Sequence, residues 1–135
     1  MANIKWQTDV GYEFSNYYGF LYRINYTDGT KYFGKKSFIK TLRYPPLKGK
    51  KRIRIVTRES DWRKYEGSCE SVFGRVIQAK TIIRLSKTKG RLTYDENKML
   101  YQENVLTSMD VLNNNISGKI WSKTIIAEWR WSENN

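Results

Sequence analysis

One short stretch near the N-terminus does most to constrain the fold of this chain of 135 residues. Residues 20–26 are dense in aromatic and β-branched side chains, which favour β-strands. Asp28-Gly29 follows directly, and an Asp-Gly pair between two such runs indicates a tight β-hairpin. We therefore predict a strand over residues 20–26 and a returning strand over residues 31–34, extending at most to Phe38.

Downstream, the apolar spacing predicts two helices around a third strand. Apolar residues at helical spacing predict a helix over residues 69–80, with Ser68 or Ser71 as its N-cap. A run of β-branched and aliphatic residues predicts the third strand over 81–85. Thr93 and Glu96 have the form of a capping box, so a second helix is expected from Thr93 to about residue 106.

Together these elements predict an α+β domain. It would contain a small, mainly antiparallel three-stranded sheet flanked by helices, with a basic insertion over about 39–60. A short strand over 53–56 is expected inside that insertion. Further edge strands are expected around residues 4–6 and in the aromatic tail 119–131. Because no repeat or linker divides the chain, residues 1–135 are expected to form a single domain.

The residue types that are missing exclude several classes of site. The chain has no histidine, which excludes histidine metal ligands and the Ser-His-Asp triad. Cys69 is the single cysteine, so neither an intramolecular disulfide nor a multi-cysteine zinc site can form, and a cytoplasmic location is expected. No apolar run is long enough to span a bilayer, and no signal-peptide pattern is present, so no membrane association is expected.

The positive charge is concentrated in one segment. The net charge of the chain is +12, and residues 35–64 hold twelve Lys and Arg against two acidic residues, a net of +10. Such a concentration favours a polyanionic partner, because neutralised phosphates release condensed counterions. An amphipathic membrane helix is not expected here, since Pro45 and Pro46 interrupt the segment. We therefore predict nucleic acid as the partner.

The hairpin also resembles the GIY-YIG nucleases, which are named for two tripeptides on adjacent strands. Phe20-Leu21-Tyr22 stands at the first tripeptide and Tyr32-Phe33-Gly34 at the second, although Phe20 departs from the usual glycine. Two lysines follow the second tripeptide, and residues 61–68 lead toward the predicted helix as in phage-type members. The resemblance covers about residues 20–116. It implies a metal-dependent DNA endonuclease, homing-endonuclease-like and encoded by a phage or a mobile element, which would act in the host cell cytoplasm.

The resemblance assigns a role to each of five residues. Tyr22 and Tyr32 are the motif tyrosines, Arg75 is the catalytic arginine, and Asn113 supports the site. Glu96 is the metal ligand, and the ion is expected to be Mg²⁺ or Mn²⁺ held by one carboxylate and several waters. DNA contacts are expected from six basic residues: Lys35, Lys36, Arg52, Arg54, Arg58 and Arg63.

Each of these roles has a structural alternative. The two tyrosines could pack as a cross-strand aromatic pair. Arg63 competes with Arg75 for the catalytic role, and either could be a surface charge. Glu96 could serve only as the capping-box partner of Thr93. Asn113 stands in a run of three asparagines, which is typical of a turn.

Two other functions stay open at the level of sequence. The first is a nucleic-acid-binding protein on the same scaffold without catalysis, which Phe20 in place of glycine favours. The second is a virion or regulatory interaction protein that uses its tryptophan-rich tail as an interface. Self-association, the recognition sequence and the cleavage pattern are left open.

Overall fold

The computed structural model of the protein describes residues 5–8, 14–67 and 74–125. The elements in chain order are β1 (Trp6–Gln7), one 3₁₀ turn (Phe14–Asn16), β2 (Gly19–Tyr26), β3 (Lys31–Ser37), β4 (Ile39–Tyr44), β5 (Arg54–Glu59), β6 (Ile77–Ser86), α1 (Lys89–Gln102), β7 (Asn115–Ile116) and β8 (Ile120–Trp121).

The predicted hairpin is confirmed as the pair β2 and β3. The two strands are antiparallel, in a register that runs from Gly19 opposite Ser37 to Asn25 opposite Lys31. Gly29 has a φ of +87°, the left-handed conformation that a glycine adopts without strain. The Asp28 side chain accepts a hydrogen bond of 3.0 Å from the backbone N–H of Thr30 and so closes the turn.

The main sheet has four strands in the order β1-β6-β2-β3. β6 pairs antiparallel with β2, and the short edge strand β1 pairs parallel with β6. The fold is α+β as predicted, but the sheet is mixed, whereas the sequence predicted a mainly antiparallel sheet of three strands. The fourth strand, β1, overlaps the edge strand predicted around residues 4–6. β3 forms one edge of this sheet, and residues 110–113 hydrogen-bond to its outer side at Lys31 and Phe33.

Alternation along β2 builds a separate core on each face of the sheet. Phe20, Tyr22 and Ile24 point to one face, where they pack with Phe38 and Trp62 in an aromatic cluster. Leu21 and Phe33 point to the other face, where they meet the apolar side of α1 through Leu92, Met99 and Leu100. Among the described residues, α1 is the only long helix on the sheet, and it lies on the face of Leu21 and Phe33.

Helix α1 begins earlier than the sequence predicted. Thr88 is the N-cap, because its backbone is extended and its side chain accepts a 3.1 Å hydrogen bond from the Arg91 N–H. Thr93 therefore lies within the helix, where its hydroxyl donates to the Lys89 carbonyl. The predicted extension to residue 106 is also wrong, since the helix ends at Gln102 and Asn104 adopts a φ of +50°.

The predicted helix over 69–80 is wrong where the structure describes it. Residues 77–80 belong to β6, which pairs with β2 from Ile77 opposite Tyr26 to Ser86 opposite Gly19. Cross-strand pairing along the centre of the sheet therefore overrides the helical spacing of the apolar residues. Residues 68–73, with both proposed N-caps, lie outside the described part.

The basic insertion, predicted as a loop that contains one short strand, is a two-stranded hairpin. β4 and β5 form a separate two-stranded sheet, so the strand predicted over 53–56 corresponds to the beginning of β5. Near the C-terminus, β8 lies within the tail predicted to add a strand, and it pairs with β7. Residues 126–135 lie outside the described part. In the described ranges no helix is long and apolar enough to cross a membrane.

Candidate active site

A cleft of about 340 Å³ opens beside the outer edge of β3. It lies between that strand, α1 and the segment that leads into β7. The cleft brings together three of the predicted site residues, which are distant in sequence: Tyr32, Glu96 and Asn113. The rest of its lining consists of Phe33, Leu100, Asn114, Asn115 and Ser117.

Asn113 fixes this segment to the edge strand. Its side-chain oxygen accepts a 2.9 Å hydrogen bond from the Phe33 N–H, and its side-chain nitrogen donates to the Phe33 carbonyl at 2.7 Å. Asn113 therefore pairs with β3 as another strand would, and it is buried. A plain turn would not make this bidentate contact, so Asn113 holds one wall of the cleft in place.

Tyr22 reaches the same edge across a glycine. It stands opposite Gly34 in the register of β2 and β3. A Cβ at position 34 would lie 2.5 Å from the Tyr22 hydroxyl and 2.6 Å from the ring carbon that carries it. The absence of a side chain at Gly34 is what allows the phenol of Tyr22 to lie there.

The environment of Tyr22 keeps its phenol neutral. The side chain is 1% exposed, and its ring packs against those of Trp6, Tyr32 and Tyr65. Burial raises the pKa of Tyr22 well above 10, and the neighbouring Tyr65, Tyr32 and Glu96 raise it further. Tyr22 is therefore both a packed cross-strand aromatic and a hydroxyl group that interacts with Tyr65, and a phenolate at this position is strongly disfavoured.

Tyr65 is a site residue that the sequence did not single out. Its ring lies edge-on to Tyr22 at 5.8 Å, and the two side chains share a hydrogen bond. The Lys36 ammonium lies 4.3 Å from the centre of the Tyr65 ring and pairs with Asp61 at 2.7 Å. The sequence feature that could have identified Tyr65 is its position in the segment 61–68, which carries part of the resemblance to the GIY-YIG nucleases.

A buried lysine holds the segment that presents Tyr65. Lys80 is 1% exposed, and its ammonium donates to the carbonyls of Tyr65 at 2.9 Å and Arg63 at 3.3 Å. It also lies 4.5 Å from the ring of Trp6. Burial lowers the pKa of Lys80, and the charge of Glu66 opposes that shift. Lys80 thus fixes the 63–65 loop against the sheet.

Glu96 lines the cleft from α1. Its side chain is 17% exposed, and its carboxylate lies 3.9 Å from the Lys35 ammonium. Lys35 also donates to the Thr93 hydroxyl at 2.9 Å. Burial raises the pKa of Glu96, and Lys35 partly opposes that rise. The capping-box alternative is wrong, because Thr88 caps the helix and Thr93 lies within it.

The residues around Glu96 suit a hard cation bound by one protein carboxylate. In the described ranges no group of three or more acidic, cysteine or histidine residues gathers to form a complete metal cage. Asp95 is committed elsewhere, since it pairs with Arg84 and Arg91. Mg²⁺ commonly binds to one or two carboxylates and keeps several waters, and a half-buried carboxylate beside a polar cleft fits that pattern.

The structure places Arg75 away from this group, at the turn of the hairpin. Its guanidinium pairs with Asp28 and lies 3.5 Å from the Thr30 hydroxyl. Residues 75 and 76 are not helical, so the helical setting predicted for Arg75 is wrong. Arg63 pairs with Glu59 at 2.7 Å, and its guanidinium stacks over Trp62. The catalytic role of either arginine stays a prediction.

Five of the six predicted DNA-binding residues fall into two groups, and the sixth is Arg63, whose contacts are given above. Lys35 and Lys36 lie on β3 beside Glu96 and Tyr65, respectively. Arg54 and Arg58 belong to β5, Arg52 precedes it, and all three are exposed. The hairpin of β4 and β5 therefore carries these three arginines on its exposed surface.

The comparison with known families agrees with this geometry. A family model described as "Putative endonuclease segE, GIY-YIG domain" matches residues 4–116. The chain belongs to the GIY-YIG family. It is a nuclease of the GIY-YIG type, with DNA as the substrate that this family implies. No match was found among curated proteins or among solved structures.

The departure of this GIY-YIG domain from the first tripeptide is explained by packing. Phe20 is fully buried in the aromatic cluster against Trp6, Phe38 and Trp62. It does not line the cleft. The close approach that needs a glycine occurs one residue earlier, since a Cβ on Gly19 would lie 2.5 Å from the Lys36 carbonyl oxygen. Phe20 is therefore weak support for an inactive protein.

Proposed function

We propose that this GIY-YIG domain is a metal-dependent endonuclease that hydrolyses DNA phosphodiester bonds, with Mg²⁺ or Mn²⁺ bound at Glu96. The observation that carries the proposal is the position of Glu96. This carboxylate is half-buried in a polar cleft that also holds Tyr32 and Asn113, and burial raises its pKa. A carboxylate kept in so costly a place is typical of a functional site.

Glu96, in its ionised form, would hold the metal ion. When bound, the ion would supply Lewis-acid stabilisation of charge on the phosphate and the leaving oxygen. Lys35 lies 3.9 Å from the same carboxylate and favours its ionised form. Lys35 would also bind a phosphate oxygen of the substrate beside Glu96.

The tyrosines would take different parts. Tyr32 lines the cleft and would donate a hydrogen bond to a phosphate oxygen or orient the attacking water. Tyr22 is buried and neutral, so it would act through its hydrogen bond with Tyr65 instead of removing a proton as a phenolate. Asn113 would keep the edge of β3 fixed while substrate binds.

The cations would supply phosphate binding around this centre. Lys36 and the exposed arginines Arg52, Arg54 and Arg58 would contact the DNA backbone. Arg75, with Arg63 as its rival, is proposed to stabilise charge at the scissile phosphate. For Arg75 this role requires that the guanidinium leave Asp28 at the turn of the hairpin and reach the phosphate bound near Glu96.

The biological setting belongs to the same proposal. Phage-type GIY-YIG members suggest an enzyme encoded by a phage or a mobile element that acts in the host cell cytoplasm. The high positive charge suits a protein that must find DNA among other polyanions. Homing-type cleavage would also require sequence recognition.

A second candidate is a nucleic-acid-binding protein on the same scaffold without catalysis. Two observations favour it, the burial of Tyr22 and the pairing of Arg75 with Asp28. The experiment that separates the candidates is incubation of the full chain with supercoiled plasmid in Mg²⁺, in Mn²⁺ and in excess chelator. Nicking or linearisation in Mg²⁺ or Mn²⁺ but not in chelator supports the endonuclease. Binding of the plasmid without strand cleavage under all three conditions favours the second candidate.

A further inference from the structure

The hairpin of β4 and β5, here called the basic ribbon (residues 39–59), stands apart from the main sheet. Its six cross-strand pairs run from Ile39 opposite Glu59 to Tyr44 opposite Arg54. Neither strand joins the four-stranded sheet. All six residues of β5 and four of the six in β4 are exposed. An isolated two-stranded ribbon is only marginally stable in water, so a partner that covers it would stabilise it.

The root of the ribbon is nevertheless firmly held. β4 follows β3 after the single residue Phe38, which is fully buried. The Ser60 N–H donates to the Phe38 carbonyl at 2.8 Å, and the Ser60 hydroxyl donates to the Ser37 carbonyl at 2.6 Å. The ribbon is thus a direct continuation of the strand that carries Tyr32, so whatever it binds is held in register with the cleft.

The charge of the ribbon indicates what that partner is. The ribbon contains eight lysines and arginines and one acidic residue, Glu59, which pairs with Arg63 outside the ribbon. Lys40 stands directly opposite Arg58, and like charges at directly opposed positions destabilise a strand pair. A polyanion would relieve this repulsion and release its own counterions. We therefore expect the ribbon to be more stable with nucleic acid bound than without it.

The two faces of the ribbon differ in a way that favours contact with base edges. Lys40, Leu42 and Tyr44 share one face, on which Leu42 and Tyr44 are half-buried. The opposite face is exposed along its whole length: Ile39, Thr41, Arg43, Ile55, Thr57 and Glu59. Phosphate binding alone would not explain why Ile55 is 63% exposed. In the major groove, Ile55 could make an apolar contact with the methyl group of thymine.

We propose that the basic ribbon lies in the major groove of duplex DNA with Arg43, Ile55 and Thr57 toward the base edges. The major groove is about 12 Å wide and admits a two-stranded ribbon, whereas the minor groove, at about 6 Å, is too narrow for one unless the duplex is deformed. Six residues at roughly 3.4 Å each extend about 20 Å along the groove. The inference rests on the proposed function and deepens it, because it names the part of the substrate that the chain reads.

The test measures binding in excess chelator, where no cleavage occurs. The full chain is titrated against a plain duplex and against the same duplex with a bulky uncharged group at C5 of every pyrimidine, which fills the major groove. We expect at least a tenfold loss of affinity for the filled duplex. A minor-groove ligand such as netropsin should leave binding to the plain duplex unchanged. Equal affinity for the two duplexes, or displacement by netropsin, would overturn the proposal.

Two charge-matched variants separate groove reading from general electrostatics. Arg43→Gln removes a charge from the exposed face of β4, and Lys48→Gln removes one from the turn of the ribbon. We expect Arg43→Gln to weaken discrimination between the plain and the filled duplex, whereas Lys48→Gln should weaken binding to both equally. Identical behaviour of the two variants would overturn the proposal.

A shortened chain, in which Asn-Gly joins Lys40 to Arg58, checks the whole ribbon. These residues are cross-strand partners, so a two-residue turn can close the gap. The shortened chain should bind both duplexes equally and weakly, and retained discrimination would overturn the proposal. The outcomes also separate this inference from the proposed function. If binding depends on the major groove but no DNA is cleaved, the proposed endonuclease function is wrong and the ribbon proposal stands. If DNA is cleaved but binding does not depend on the major groove, the ribbon proposal is wrong and the endonuclease function stands.

Discussion

The phenol of Tyr22 lies directly over Gly34 on the neighbouring strand, where a Cβ would be 2.5 Å from its hydroxyl. This contact explains why a glycine closes the second tripeptide of the motif. It also links the two tripeptides physically, since the tyrosine of one occupies the space left by the glycine of the other.

Gly34→Ala should therefore displace the Tyr22 ring. We expect the free energy of unfolding to fall by about 1–3 kcal/mol, the usual cost of overpacking a tight site, and cleavage to slow in parallel. Gly90→Ala is the matched control, because nothing lies within 4 Å of a Cβ there and Gly90 is in α1. The control should be neutral or more stable by up to about 1 kcal/mol. Equal stability of the two variants, measured by denaturant unfolding, would contradict this role for Gly34.

The pairing of Asn113 with the backbone of Phe33 gives a second prediction. Asn113→Asp keeps the acceptor for the Phe33 N–H but removes the donor to the Phe33 carbonyl. We expect a loss of about 1–3 kcal/mol in the free energy of unfolding, because a buried carbonyl loses its partner. Asn114→Asp changes an exposed neighbour and should have little effect. If thermal unfolding finds the two variants equally stable, Asn113 does not fix the cleft wall.

The raised pKa of Glu96 predicts a pH-dependent gain in stability on substitution. Because the pKa is higher in the folded state than in the unfolded chain, the ionised carboxylate lowers stability at neutral pH. Burial outweighs the attraction of Lys35, which is more than a third exposed and therefore screened. Without added metal, Glu96→Gln should raise the melting temperature at pH 7, and the gain should shrink as the pH falls through the folded-state pKa. A lower melting temperature at pH 7 would show that the ion pair with Lys35 dominates.

Sequence reasoning predicted the hairpin because its signals are local. The turn chemistry of Asp28-Gly29 and the alternation along residues 20–26 act between neighbours, so they need no tertiary context. The same reasoning failed where the sheet decides the outcome. Apolar residues over 69–80 have helical spacing, yet residues 77–80 pair with the central strand β2 and become part of β6.

The site residues were also predicted only in part, because some of their contacts depend on tertiary structure. The resemblance located Tyr32, Glu96 and Asn113, which do share a cleft. It did not indicate that Tyr65 would share a hydrogen bond with Tyr22, because that contact depends on how Lys80 ties down a distant loop. Nor did the spacing of Thr93 and Glu96 reveal that Thr88 is the N-cap of the helix.

The exposed arginines of the ribbon predict a strong dependence of DNA binding on salt. Each phosphate contact contributes about −0.9 to the slope of log affinity against log salt concentration on duplex DNA. Changing Arg52, Arg54 and Arg58 together to Gln should flatten that slope without altering the fold, because all three side chains are exposed. Fluorescence anisotropy across a salt series measures the slope, and an unchanged slope in the triple variant would remove these residues from the DNA interface.

Catalysis through a metal ion at Glu96 is tested by the rate of plasmid nicking in Mg²⁺ for Glu96→Gln beside Glu103→Gln. Glu103 is exposed at the end of the same helix, so its variant makes the same change of charge away from the cleft. We expect Glu103→Gln to nick at the unaltered rate and Glu96→Gln to be slower by about 100-fold or more, the scale for losing a charge-stabilising group. Excess chelator should stop nicking by the unaltered chain. Nicking by Glu96→Gln at the unaltered rate, or nicking that persists in chelator, would show that no metal ion at Glu96 drives cleavage.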